Sequence, residues 1–194
     1  MRRVAIVLVL AACGSTPAPQ APSNGGRRGV RSEIERAEQA EKARRHDVAR
    51  THYERAVAVA ADPASSDLAH REFGETLAVW GEYAESVKHL EAAIAAVPGD
   101  AIAWQMLGIV RHKLGDIPGA FAALERSKAL APNAWIPRRD LAVLHWKVGH
   151  TAQALAEYRG MLDLDLPERV RDAVKWALDQ MLNQRNVPAS PPST

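Results

Sequence analysis

The chain has a single cysteine, few aromatic residues and no apolar run long enough to cross a bilayer. Cys13 alone cannot form an intrachain disulfide, so no covalent staple holds the fold. With five tryptophans, three tyrosines and two phenylalanines, the apolar fraction of 47% is largely alanine. That composition excludes one bulky core and suits thin helical layers packed closely. Chemistry-bearing patterns are missing as well. The seven histidines (His46, His52, His70, His89, His112, His145 and His150) are scattered, with no HExxH, no pair at i, i+4 and no Cys/His cluster. No GxSxG is present, no serine neighbours a plausible base, and Gly25-Gly26 follows no strand. Catalysis, a metal and a cofactor are therefore not expected.

What the chain does have is a recurring unit, clearest from Ala101 to Pro132. Trp104, Leu107 and Leu114 share one face of a first helix, and Gly108 on that face lets a neighbouring helix come close. Gly115-Asp116 breaks the run: the glycine suits a left-handed turn and the aspartate caps the next helix. Pro118 falls in the first turn of that helix, Ala120, Leu124 and Ser127 form its inner stripe, and Pro132 ends the unit. A step of 34 residues takes Leu107, Gly115, Ala120 and Leu124 to Leu141, Gly149, Ala154 and Tyr158. The step backwards from Leu107, Gly108, Gly115, Leu124 and Pro132 reaches Phe73, Gly74, Gly81, Leu90 and Pro98.

This unit resembles the tetratricopeptide repeat (TPR), a helix–turn–helix of about 34 residues. The resemblance implies an all-α, right-handed α-solenoid of about four TPR helix hairpins plus a C-terminal capping helix. The repeats are expected at about 31–64, 67–100, 101–134 and 135–168. In the first, Ala37, Ala40 and Ala43 give a small-residue stripe, and Ala49, Tyr53 and Ala56 match the Ala–aromatic–Ala pattern of a TPR second helix. Pro63-Ala64-Ser65-Ser66 reads as a longer connection to the second repeat. In the fourth, Arg138 replaces the large apolar Trp104, with Trp135 nearby to compensate. A helix over 167–184, with Val170, Ala173, Val174, Ala177, Leu178 and Met181 on one face, is the expected cap. Residues 185–194 read as a disordered tail.

The N-terminus carries an address rather than structure. Two arginines, an apolar run from Val4 to Ala12 and small residues have the layout of a secretory signal peptide over residues 1–12. Leu10-Ala11-Ala12-Cys13 resembles the bacterial lipobox, which implies that Cys13 is lipidated, as by palmitate, and becomes the first mature residue. Gly14, where an aspartate would retain such proteins at the inner membrane, implies the outer membrane facing the periplasm. Residues 13–30, rich in Pro, Gly and Ser, read as a flexible tether. Lys and Arg number 25 against 23 acidic residues; without Arg2 and Arg3 of the leader the balance is 23 to 23. A neutral chain lacks the basic footprint of a nucleic-acid binder.

In TPR proteins the first helices line the concave face that holds ligands. Residues off the packing face form columns: Leu68, Arg71, Glu75 and Ala78; Ile102, Gln105, Ile109 and His112; Ile136, Arg139, Val143 and Trp146. Lys113 and Lys147 adjoin them. Arg71, Glu75, Gln105, Ile109, His112, Lys113, Arg139, Val143, Trp146 and Lys147 are thus the expected partner-binding set. The family's Asn/Lys carboxylate clamp is missing, so a chaperone-tail clamp is not expected. Two readings of function follow. One is a non-enzymatic, lipid-anchored envelope adaptor that docks a peptide or helix of another protein, as in assembly of an envelope machine. The other is a scaffold that self-associates or bridges a complex through convex or terminal surfaces. Partner identity and oligomeric state leave no signal in the sequence.

Overall fold

The computed structural model describes residues 24–185. Among them are nine helices and no strand: α1 (Asn24–Lys42), α2 (His46–Val59), α3 (Pro63–Trp80), α4 (Tyr83–Ala96), α5 (Ala101–Lys113), α6 (Ile117–Leu130), α7 (Trp135–Lys147), α8 (Thr151–Leu162) and α9 (Glu168–Arg185). Consecutive helices pair into four hairpins, and the leading helices α1, α3, α5 and α7 touch in series, so the hairpins stack with their leading helices side by side. The last helix packs on α8. None of these helices is long and apolar enough to cross a membrane.

Local chemistry sets each corner. Gly81, Gly115 and Gly149 have φ of 84°, 83° and 81°, a region in which a side chain is strained. At each, the next N–H reaches back five residues: Glu82 to Leu77 O at 2.8 Å, Asp116 to Arg111 O at 2.9 Å, His150 to His145 O at 2.8 Å. These bonds satisfy carbonyls that the helix end leaves free. After Gly115 the next helix starts on a side-chain cap, Asp116 Oδ1 accepting from Gly119 N at 2.9 Å, and between hairpins Asp100 Oδ1 caps α5 by accepting from Ile102 N at 2.7 Å. Within the hairpins, a Cβ on Gly108 would lie 2.6 Å from Leu124 Cγ, and one on Gly74 2.9 Å from Leu90 Cγ. The two glycines therefore set how closely α5 meets α6 and α3 meets α4. Ser86 Oγ donates to Gly74 O at 2.6 Å across the second of these contacts.

Several expectations need correction. The segment read as tether is helical from Asn24, because Val30 and Ile34 are buried and Gly26 and Gly29 rest against Ala61 and Val59. Pro63-Ala64-Ser65-Ser66 is no connection but the first turn of α3. Asp62 caps it, accepting from Ser65 N at 2.9 Å while Asp62 N donates to Ser65 Oγ at 3.2 Å, and Pro63 stands where its missing N–H matters least. Ala43 lies past the end of α1, exposed, and Leu114 is 50% exposed because α5 ends at Lys113. On α9, Val174, Leu178 and Met181 are buried while Ala173 faces solvent. The leader, Cys13 and the tail after Arg185 lie outside the described residues.

Candidate functional site

The trough along the leading helices is a row of depressions in register with the repeat. Its first is lined by Glu75, Ala78 and Val79 of α3 with Ile109 and Lys113 of α5, and by Tyr83, Met106 and Val110. The second is lined by Ile109, His112 and Lys113 of α5 with Asp140, Val143 and Lys147 of α7, over Leu124 and Leu144. The third joins Val143, Trp146 and Lys147 of α7 to Trp176, Ala177, Gln180 and Met181 of α9, with Tyr158 behind them. Their volumes are ≈ 360, 180 and 310 Å³. Each wall recurs one repeat later: Glu75, Ile109, Val143, Ala177; Ala78, His112, Trp146, Gln180; Val79, Lys113, Lys147, Met181. Ile109 and Lys113, and then Val143 and Lys147, each serve two neighbouring depressions.

Seven residues of the expected set line this row: Glu75, Ile109, His112, Lys113, Val143, Trp146 and Lys147. Arg71, Gln105 and Arg139 line none of the three, being held by carboxylates of the chain itself. Arg71 pairs with Glu72 at 3.1 Å, and its Nε lies 3.2 Å from Asp100 Oδ2 without hydrogen-bond alignment. Gln105 Nε2 donates to Asp140 Oδ2 at 2.6 Å, and Arg139 Nε and Nη2 donate to Asp140 Oδ1 at 2.9 and 2.7 Å. Arg139 also lies over the Trp135 ring, 5.4 Å from its centroid. Arg71 and Arg139 thus already have carboxylates of this chain beside them, Glu72 and Asp100 for the first and the adjacent Asp140 for the second.

Charge in the depressions is distributed otherwise. Lys113 and Lys147 are exposed and, among the described residues, no carboxylate lies within ion-pair distance of either. His112 between them is held below the ordinary histidine range by burial first, then by the two ammonium groups. Burial raises the Tyr158 phenol. The acid at the opposite end of the row is Glu75. Sequence reasoning missed Trp176, 66% exposed on α9, together with Ala177, Gln180 and Met181. A signal exists for three of them: Ala177, Gln180 and Met181 follow Val143, Trp146 and Lys147 by one more repeat length, whereas Trp176 follows the buried Ala142 and has no counterpart in the row.

A second register-bound feature crosses the hairpins beside the trough. His52 Nδ1 meets Glu33 Oε2 at 2.7 Å, His70 Nδ1 meets His89 Nδ1 at 2.9 Å, and Arg138 Nη1 donates to Glu157 Oε2 at 3.2 Å. Each pair is separated by 19 residues, one side chain from each helix of its hairpin. Trp104 and Ala123 fill the same two positions in the third hairpin as an apolar pair. Four of the histidines read as scattered are therefore neighbours, since His145 and His150 also approach at 3.5 Å beside Phe121. Glu33 is held below its ordinary range mainly by the hydrogen bond with His52. His70 and His89 are lowered by burial, His89 further by His70 and Arg50 against an opposing pull from Glu85. Among the described residues no group of three or more His, Cys, Asp or Glu side chains is placed to hold a metal ion.

Comparison with known proteins agrees with this geometry. A family model described as tetratricopeptide repeat matches residues 72–134. The PEX5-related proteins of Homo sapiens and Mus musculus are 38% and 36% identical over 74 residues, which is 38% of this chain but only 12% and 13% of theirs. Among solved structures, PilW, titled a widely conserved type IV pilus biogenesis factor, has a TM-score of 0.67 at 22% identity, covering 87% of this chain and 82% of that one. PilF of Pseudomonas aeruginosa gives 0.65 at 17% identity over 81% and 70%. The first repeat domain of Spaghetti (RPAP3), bound to an HSP90 peptide, gives 0.55 at 15% identity over 61% and 92%. At these identities the structural likeness is one of fold.

Proposed function

We propose that this chain, whose residues 72–134 are tetratricopeptide repeat sequence and whose fold is a solenoid of that kind, is a non-catalytic adaptor that docks a segment of another protein in its trough. The observation that carries the reading is the row of three depressions repeating with the helices, which offers one segment several equivalent contacts. Trp146, flanked by Tyr158 and Trp176, has the aromatic character of an interface anchor. The sharper version puts the adaptor in the bacterial cell envelope, held by a lipid on Cys13 and facing the periplasm at the outer membrane, where it helps assemble an envelope machine. The lipobox-like residues before Cys13 and the fold shared with PilW and PilF support that version.

Two experiments test it. Replacing Arg139, Trp146 and Lys147 together with alanine should abolish cross-linking to the partner in intact envelopes while the helical signal persists, with a modest fall in melting temperature because Trp146 packs on the core cluster of α8 and α9. A folded triple variant that keeps its partner would favour the scaffold reading, in which convex or terminal surfaces make the contacts. Cys13→Ser should release the protein from membranes, and unchanged retention would remove the lipid anchor.

A further inference from the structure

Resting on that adaptor reading, the pattern of charge along the trough specifies what kind of segment it takes. Several cations of the leading and following helices are neutralised within the chain: Arg50 by Glu82 and Glu85, Arg71 by Glu72, Arg111 by Glu91, Lys128 and Arg138 by Glu157, Arg139 by Asp140. Within the row, Lys113 and Lys147 stand one repeat apart on α5 and α7 with no ion-pair partner among the described residues, and the acid of their depression, Asp140, is engaged by Arg139 and Gln105. Neutral His112 lies between them and adds no charge of its own. Beyond Lys147 the walls turn aromatic with Trp146 and Trp176, the latter two-thirds exposed at 66%. In the other direction Glu75 enters the row, and it would repel an acid placed there.

We infer that the trough accepts a partner segment carrying two carboxylates on one face about 10 Å apart, the spacing of adjacent packed helices, followed by a bulky apolar side chain that enters the Trp146–Trp176 depression. The carboxylates meet Lys113 and Lys147, and the order of the row, Glu75 then two lysines then two tryptophans, fixes the direction in which the segment lies. Two backbone conformations satisfy both spacing and facing. On an α-helix, residues seven apart share a face and are separated by about 10.5 Å. On a polyproline II strand, residues three apart share a face and are separated by about 9.3 Å. A β-strand fails, because residues an odd number apart face opposite ways.

The test uses the full chain and fluorescein-labelled synthetic peptides, each with two glutamates and one tryptophan in an alanine–glutamine background. The glutamates are set three, five or seven residues apart, and binding is followed by anisotropy. Either the three-spaced or the seven-spaced peptide should bind about fivefold more tightly than the five-spaced one, and the preference should shrink as salt is raised. Lys113→Ala with Lys147→Ala should erase the preference, and Lys113→Glu with Lys147→Glu should transfer it to peptides with lysine in place of glutamate. Both sites are exposed, so circular dichroism and melting should be unchanged. Equal affinity for all three spacings, a preference that survives the double substitution, or no binding by any peptide would overturn the inference. The adaptor reading fails by a different signature: the Arg139, Trp146 and Lys147 triple variant would then keep its cross-linked partner in envelopes.

Discussion

The two inner hairpins and the two outer ones solve the same packing problem with different pairs of residues. In α3–α4 and α5–α6 the closest approach is glycine against leucine: Gly74 with Leu90, and Gly108 with Leu124. The equivalent positions in α1–α2 and α7–α8 hold alanine and tyrosine: Ala37 with Tyr53, and Ala142 with Tyr158. Ala37 and Ala142 are fully buried, as Gly74 and Gly108 are. A branched leucine head needs the space that a missing Cβ leaves, whereas a flat ring can lie alongside a methyl group. Among the described residues, inner hairpins are covered by a hairpin on both sides, and the outer ones, with a hairpin on one side only, carry larger side chains. The repeat thus conserves the fit of a small residue against a larger one across the pair rather than residue type or volume at either member.

That comparison can be broken most directly at Gly108. With a Cβ there only 2.6 Å from Leu124 Cγ and 3.1 Å from Ala120 O, Gly108→Val should destabilise by about 3 kcal/mol, read from urea unfolding. Gly108→Ala should lose less. Adding Leu124→Tyr, which installs the outer pair in an inner hairpin, should recover part of that loss and appear as a favourable coupling in a double-mutant cycle. Additive losses would show that the pairs are not interchangeable.

A smaller effect separates the hairpins by acid. His70 and His89 both have pKa values held below that of an unfolded histidine, so the folded state binds fewer protons than the unfolded one. Their contribution is present above the unfolded histidine pKa and is lost as pH falls through it. Glu33, lowered by His52, loses its contribution only at lower pH, as it passes below the ordinary carboxylate value. Asp67 acts in the opposite sense. Burial and the neighbouring Asp100 raise it to about 6, so acidification relieves a penalty there. Melting temperature should therefore fall between about pH 7 and 5 less steeply in His70→Asn/His89→Asn than in the wild type, and more steeply in Asp67→Asn.

The smallest prediction concerns the corners. Arg44, with φ 56°, occupies in the first hairpin the left-handed turn that glycine holds in the others, and Arg45 N reaches back five residues in the same way, to Ala40 O at 2.9 Å. Arg44→Gly should raise stability by about 0.5 kcal/mol, the relief of left-handed strain being offset in part by a freer unfolded chain. Gly115→Arg should lower it by a comparable or larger amount.

How much of this was legible beforehand depended on how local the determinant was. Gly81, Gly115 and Gly149 announced their corners because a positive φ is a requirement of one residue. Asp116 and Pro118 announced the start of α6 for the same reason. The start of α3 was misjudged because Pro63 fits equally well after a helix and at its first position; the reciprocal hydrogen bonds of Asp62 and Ser65 decide between them. The columns off the packing face followed from helical periodicity. Which of their members stay free did not, since Arg71 lies against Asp100 and Gln105 donates to Asp140, each across a repeat junction. The His70–His89 and Arg138–Glu157 contacts were hidden likewise: a 19-residue separation means nothing until a hairpin closes.

The last helix starts at Glu168, and Ala177, Gln180 and Met181 stand where Val143, Trp146 and Lys147 stand on α7. It thus takes the register of a further leading helix. A solenoid whose last described helix keeps that register can be lengthened by inserting a duplicated 34-residue cassette upstream of Pro167, which would carry the tryptophan-rich depression outward and add one more compartment to the row.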